Sequence, residues 1–139
     1  MNGKRGKGWI VDASVILKWF LPAGSEPDAA LARQAIGVLP LRTTTLAFYE
    51  TGNILTRVSG MNSESIATCL SMVSEICGPP IDLHSDDFLM VAETARKNKL
   101  TFYDASYVAI AKRLGRSVLS ADSDLLDPGL AFDLPAALA

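Results

Sequence analysis

Three consecutive apolar residues, Trp9-Ile10-Val11, run directly into Asp12, and a helix-compatible stretch, Ala13 to Phe20, follows at once. An apolar run without polar alternation fits a strand covered on both faces, the condition of a parallel sheet packed between helices. The rest of the chain repeats the alternation. Pro22 and Gly24 stop the first helix, and the Ala-rich stretch from Glu26 to Val38 reads as a second, ended near Gly37 and Pro40. Leu41 to Thr43 is a short strand candidate. Leu46 to Val58 and Ser63 to Cys77 read as helices, broken by Ser59-Gly60 and by Gly78-Pro79-Pro80. Ile81 to Leu83 is strand-like. A helix then opens at Ser85, with Asp86 and Asp87 in its first turn and Arg96 and Lys97 in its last, charges that suit the helix dipole. Tyr103 to Leu114 is a helix closed by Gly115, Ser117 to Leu119 a strand, Asp122 to Leu126 a helical turn before Asp127-Pro128-Gly129, and Ala131 to Leu134 an edge strand. Strands alternating with helices predict an α/β sandwich with a mainly parallel sheet, and in such sheets sites gather at the carboxyl ends of the strands. That rule points to Asp12 and Asp122 before any motif is considered.

A chain of 139 residues suits one domain and buries enough surface for a core without staples. We place a flexible basic leader at residues 1–8, the domain at 9–135 and a short tail at 136–139. The net charge is −2, but Lys4, Arg5 and Lys7 all lie in the leader; without them 10 basic residues face 15 acidic ones, a net of −5. Such a body is not a bulk-basic nucleic-acid binder, so any nucleic-acid chemistry must rest on a local site where cations offset the acids. Cys69 and Cys77 fall two turns apart on one predicted helix, too far for a disulfide, and lack the partners of a zinc site. They read as small half-buried residues and point to a cytoplasmic location. The apolar stretch from Trp9 to Pro22 follows a basic leader as a signal peptide would, but Asp12 and Lys18 interrupt it, so no membrane segment is expected.

Four acids stand out by position. Asp12 ends the first strand, where it either caps the helix that follows or serves a site. Glu50 shares a stripe with Ala47, Ile54 and Val58, and an acid among apolar residues is costly unless paired, bound to a cation or reaching water at the stripe's edge. Asn53 adds a polar group nearby. Asp104 shares a stripe with Val108 and Ala111, and capping is again the competing role. Asp122 and Asp124 follow the strand 117–119; one cap does not need both. Acids gathered at one sheet edge would repel, and each would lose hydration. A divalent cation relieves both costs, and oxygen-only ligands suit Mg2+ or Mn2+ rather than zinc. The matching chemistry is phosphodiester hydrolysis, with one metal activating water and a second, roughly 3.5–4 Å away, steadying the leaving oxygen.

The segments Val11-Asp12-Ala13-Ser14-Val15-Ile16, Tyr49-Glu50-Thr51-Gly52-Asn53-Ile54-Leu55, Tyr103-Asp104-Ala105-Ser106-Tyr107-Val108-Ala109-Ile110-Ala111 and Leu119-Ser120-Ala121-Asp122 resemble, in order and spacing, the motifs of PIN-domain nucleases. They are most similar to those of the VapC toxins of type II toxin–antitoxin modules, and the resemblance spans residues 9 to about 135. It implies a three-layer α/β/α fold with a parallel sheet. It also implies Mg2+- or Mn2+-dependent endonucleolytic cleavage of RNA, leaving a 5′-phosphate and a 3′-hydroxyl. A homodimer is implied, neutralised by a small antitoxin whose tail covers the acidic pocket. Asp12, Glu50, Asp104 and Asp122 fall on the family's acidic positions, Ser120 on a supporting hydroxyl position, and Ser14 and Asn53 match supporting positions more loosely. Asp124 stands where the family varies, as a further acid near the site.

Two other functions fit some of these residues. A strand-terminal Asp12 suits an aspartyl-phosphate phosphotransfer domain, but the chain has Asp-Ala-Ser where an Asp-x-Asp is usual. A non-catalytic module could use the same acids to bind a partner's basic tail. A Ser–His hydrolase is disfavoured, because His84 is the only histidine and no nucleophile elbow is present; no phosphate-binding Gly-rich loop occurs either. Lys18, Arg42, Arg57, Lys112, Arg113 and Arg116 are candidates for phosphate contacts, although a solvated helix face explains most such residues.

Overall fold

A computed structural model describes residues 8–139, so all of the basic leader except Gly8 lies outside the described residues. Strand β1 (Trp9–Val11) sits between β2 (Leu41–Arg42) and β3 (Ser117–Leu119), and both pairings are parallel. All three residues of β1 are buried although they alternate between faces, so helices cover the sheet on both sides. The α/β/α layering expected from the sequence is therefore present. Register sets Trp9 opposite Leu41 and Ser117, and Val11 opposite Leu119. The chain leaves β1 for β2 on one side and later returns for β3 on the other. The carboxyl end of β1 is thus a topological switch point, where a crevice forms.

Helix α1 (Ala13–Phe20) begins at Asp12 and buries Val15, Ile16 and Trp19, whose indole N–H donates to the Ala32 carbonyl at 2.9 Å. The second helix, α2 (Ala29–Ala35), is shorter than the expected 26–38. Pro27 keeps Glu26 extended, Asp28 takes a left-handed φ of 61°, and Ile36 leaves the helix ahead of Gly37. Helices α3 (Thr45–Leu55) and α4 (Ser63–Cys77) follow, N-capped by Thr44 and Asn62. Cys69 and Cys77 of α4 are free thiols, and burial pushes the Cys77 thiol up to about 12. Residues 85–87 form a 3-10 turn leading into α5 (Phe88–Asn98), and α6 (Phe102–Arg113) is buried from Ala105 through Ala111. Helix α6 packs on β1, β3 and α5 and is the central helix of the fold. Gly115 closes it at φ 65°, a conformation that favours glycine.

Two expected strands shrink to single bridges. Ile81 pairs with Thr44, flanked by Pro79 and Pro80, which have no N–H to donate, and by Asp82, whose carboxylate takes the Thr45 hydroxyl. Phe132 pairs with Leu119, but Asp133 then caps the last helix rather than continuing a strand. After the short α7 (Ser123–Leu126), the chain ends in α8 (Leu134–Leu138), with the Asp133 carboxylate accepting from the Ala136 N–H and Pro135 in its first turn. Residues 136–138, expected as part of a tail, belong to this helix, and Ala137 is buried.

Candidate active site

Asp12, Ser14, Glu50, Asn53, Asp104, Tyr107 and Asp122 line one pocket of about 300 Å3 at the carboxyl end of β1, together with the apolar Leu17 and Ile54. The chain brings the four acids there from four elements. Asp12 leaves β1, its N–H still bonded to the Leu119 carbonyl at 3.1 Å, and Asp122 leaves β3 next door. Glu50 comes from α3 and Asp104 from α6. The four acids singled out in the sequence thus share one pocket, together with Ser14 and Asn53. Asp124 does not line it, yet Asp104, Asp122 and Asp124 each bring a carboxylate oxygen within 4.8 Å of the others.

The supporting hydroxyls are ordered by their donors. Ser14 Oγ donates to Asp12 Oδ1 at 2.5 Å and accepts the Ala121 N–H at 2.8 Å. Ser120 Oγ, fully buried, donates to Asp12 Oδ2 at 2.5 Å and accepts the Asp122 N–H at 3.0 Å. Each serine has one proton; its backbone neighbour is an N–H, and the contact between the two hydroxyls is long at 3.4 Å against 2.5 Å to the carboxylate, so that proton points at Asp12. The two serines therefore clamp both carboxylate oxygens, and the Val15 N–H adds a cap at 3.3 Å. Asp12 is both helix cap and pocket residue. Asp104 is not the N-cap of α6: Thr101 fills that role, accepting the Asp104 N–H at 3.0 Å, and its hydroxyl also bonds the Asp104 carboxylate, which lines the pocket. Asp122 caps α7 by accepting the Asp124 N–H at 2.9 Å.

Glu50 does not stand within the buried stripe of α3. That stripe is Ala47, Thr51 and Leu55, while Ile54 is 40% exposed and Val58 lies beyond the helix end. Glu50 sits beside the stripe, half-buried, and its Oε1 accepts the Tyr107 hydroxyl at 2.6 Å. Tyr107 was not singled out in the sequence, although its place one turn after Asp104 puts it on the same face of α6. Burial, then the charge of Glu50, push its phenol above the ordinary tyrosine range.

The charges are crowded. Burial pushes the Asp12 carboxyl from 3.8 to about 6, against the lowering effect of the serines, and Asp122 adds to the rise. Asp104 is also raised, first by burial and then by Asp122, Glu50 and Asp124. For Asp12 the folded state holds its proton more tightly than the unfolded chain. Its ionised form therefore opposes folding by roughly 3 kcal/mol, and that cost disappears as pH falls from about 6 toward about 4. We expect the melting temperature in excess EDTA to rise between pH 7 and pH 5, and Asp12→Asn to remove most of that rise. A flat profile shared by both proteins would contradict this cost of burying the Asp12 carboxylate.

Few of the candidate phosphate-binding cations are free. Lys18 is buried, with Nζ 2.6 Å from the Pro27 carbonyl and 3.5 Å from Glu26. Arg113 holds Asp87, Arg42 donates to the Pro79 carbonyl, and Arg116 to the Trp9 and Pro40 carbonyls. Arg57 and Lys112 are exposed. His84 is exposed as well, and its backbone N–H caps the turn by donating to Asp87.

Residues 9–129 match the PIN domain family, and the chain belongs to it. It is 31% identical over 129 residues to Ribonuclease VapC3 of Pyrobaculum aerophilum, a match covering 85% of this chain and 92% of the relative. Among solved structures, it is similar to PAE2754 from Pyrobaculum aerophilum, with a TM-score of 0.69 and 26% identity over 94% of this chain and 86% of that one. VapC20 of Mycobacterium tuberculosis, a sarcin–ricin loop cleaving toxin, has a TM-score of 0.71 at 16% identity, covering 88% and 96%. A toxin–antitoxin complex from Klebsiella pneumoniae has a TM-score of 0.69 at 13% identity, covering 90% and 96%. These last two likenesses concern the fold. No helix among the described residues is long and apolar enough to cross a membrane.

Proposed function

We propose that this chain is a metal-dependent endoribonuclease, the toxin of a toxin–antitoxin pair, with Asp12, Glu50, Asp104 and Asp122 as its catalytic and metal-holding acids. The observation that carries this reading is the gathering of four acids in one pocket with no cation of the protein among its lining residues. The donor set fits a divalent cation. It is all oxygen, it includes three carboxylate oxygens within 4.8 Å of one another, and burial and then the neighbouring acids raise the Asp104 carboxyl. Asp104, Asp122 and Asp124 would hold Mg2+ or Mn2+ together with Glu50, and Asp12 would add a clamped carboxylate. Bound there, the ion would supply Lewis acidity toward a phosphodiester and lower the pKa of a water ligand. The chain's own part is to fix the acids. The serines orient Asp12, and the α7 cap orients Asp122.

RNA is the substrate named for the 31%-identical relative, and it suits a pocket that needs cations to approach a phosphate. For partners, we propose a small antitoxin and a second copy of this chain. Beside the pocket, Tyr49, Phe102 and Tyr103 are exposed at 72%, 47% and 61% around a mainly apolar recess floored by Leu46, Ile81, Leu83 and Ile110. Exposed aromatics at a recess are the composition of a protein interface.

Metal binding gives a test independent of the RNA sequence. A ligand bound only by the folded state stabilises it by about 2.7 kcal/mol at one hundred times its dissociation constant. Mn2+ or Mg2+ is expected to raise the melting temperature by several degrees over the EDTA value, and Asp104→Asn to suppress the shift. No shift at millimolar metal would count against a cation site.

A further inference from the structure

We propose that Tyr107 is a positioning residue that holds the Glu50 carboxylate in the orientation the pocket needs to receive a divalent cation. The inference rests on the pocket being a cation site. Glu50 differs from the other acids in how it is held. Asp12 is clamped by two serines, and Asp122 is tied to the backbone of its own turn. Glu50 has a longer, freely rotating side chain, and its carboxylate has one protein hydrogen bond among the described residues, the 2.6 Å contact from Tyr107 Oη to Oε1. The second oxygen accepts no hydrogen bond from the described residues, and Glu50 lines the pocket.

The anchor itself is rigid. Tyr107 is 1% exposed within the core and stands on α6 one turn beyond Asp104. A buried phenol needs a partner for its O–H, and a carboxylate can only accept. The bond therefore runs from Tyr107 to Glu50 and ties the two acid-bearing helices, α3 and α6, at the level of the pocket. Hydrogen bonds that orient a metal-binding carboxylate typically change metal affinity 10- to 100-fold when removed. Tyr107→Phe removes the donor and keeps the packed ring. The carboxylate left behind is half-exposed and can take water instead, so the variant should fold.

The test is an Mn2+ titration followed by electron paramagnetic resonance of the free ion, on wild type, Tyr107→Phe, Glu50→Gln and the double variant. We expect Tyr107→Phe to weaken Mn2+ binding by about tenfold or more. The Mn2+ needed for half-maximal RNA cleavage should rise by a similar factor, with most of the rate regained at saturation. In the Glu50→Gln background the same change should alter Mn2+ affinity less than twofold, because the two residues act as one unit. Unchanged affinity in Tyr107→Phe, or an undiminished loss in the Glu50→Gln background, would overturn the proposal. Wild type that binds no Mn2+ would overturn it together with the reading of the pocket, whereas wild-type binding matched by Tyr107→Phe would overturn it alone.

Discussion

Asp104→Asn is expected to cut RNA cleavage by at least about 10²–10³-fold, the size of effect seen when one group that stabilises developing charge is removed, while the protein stays folded. Asparagine keeps the shape of the side chain and an oxygen for the Thr101 hydroxyl, and the Thr101 cap on the backbone N–H is untouched, so helix α6 should be undisturbed. The metal-free protein should melt at a higher temperature than wild type. Asp104 is raised by burial and by three neighbouring acids, so its ionised form works against folding at neutral pH, and the neutral amide removes that cost. Lost activity with gained metal-free stability separates a site residue from one whose role is structural. Circular dichroism melts in EDTA beside initial cleavage rates measure both, and full activity in the folded variant would sink the assignment of Asp104.

The largest expected loss of stability lies away from the pocket. Asp87 is 5% exposed, and both its oxygens accept from Arg113 Nε at 3.0 Å, while Arg113 Nη2 donates to the Asp82 carbonyl at 2.8 Å. Burial pushes the Asp87 carboxyl up, but the His84 N–H and the Arg113 guanidinium outweigh it and hold it below the usual carboxylate range. Arg113→Ala strands a buried charge, a change that costs about 3–5 kcal/mol in closed sites; because Arg113 is itself a quarter exposed, about 3 kcal/mol is expected here. Adding Asp87→Asn should restore part of it. The sign with pH follows from the lowered carboxyl. The pair stabilises the fold fully above the ordinary aspartate range and loses that contribution as pH falls through the folded value, so the Arg113→Ala deficit should shrink in acid. Urea denaturation at pH 7 and pH 3 measures it. A deficit below about 1 kcal/mol at pH 7 would class the pair with exposed ion pairs.

Much of the fold is legible because its signals are local. Trp9-Ile10-Val11 without alternation announces a covered strand, and α4 runs over Ser63–Cys77 as the sequence predicts, because Asn62 and Gly78 punctuate it at both ends. The misread elements depend on contacts distant in sequence or on backbone detail. Ile81 and Phe132 look like strands by composition, but prolines and a helix cap hold each to one bridge. The shortening of α2 rests on a left-handed Asp28 that composition does not reveal.

The pocket shows the same division. Its acids can be read from their places after strands and on helices, but their roles as caps cannot. Thr101, not Asp104, caps α6, and Asp12 serves as a cap while it lines the pocket. Sequence spacing puts Glu50 on a stripe with Ile54 and Val58, but packing against α1 and α4 turns Ala47, Thr51 and Leu55 of α3 inward instead. Tyr107 went unread because a phenol in a buried helix looks like core until the carboxylate across from it is known. Lys18 and Arg113 look like phosphate contacts in sequence, and partners nine and 26 residues away turn them inward.

The most direct test is cleavage of a panel of end-labelled RNAs by purified protein in Mg2+, in Mn2+ and in excess EDTA, with Asp104→Asn prepared identically. The predicted result is cutting that requires metal, leaves 5′-phosphate ends and is absent from the variant. Cutting that persists in EDTA, or that Asp104→Asn retains in full, would contradict a carboxylate-held metal as the centre of this protein's chemistry.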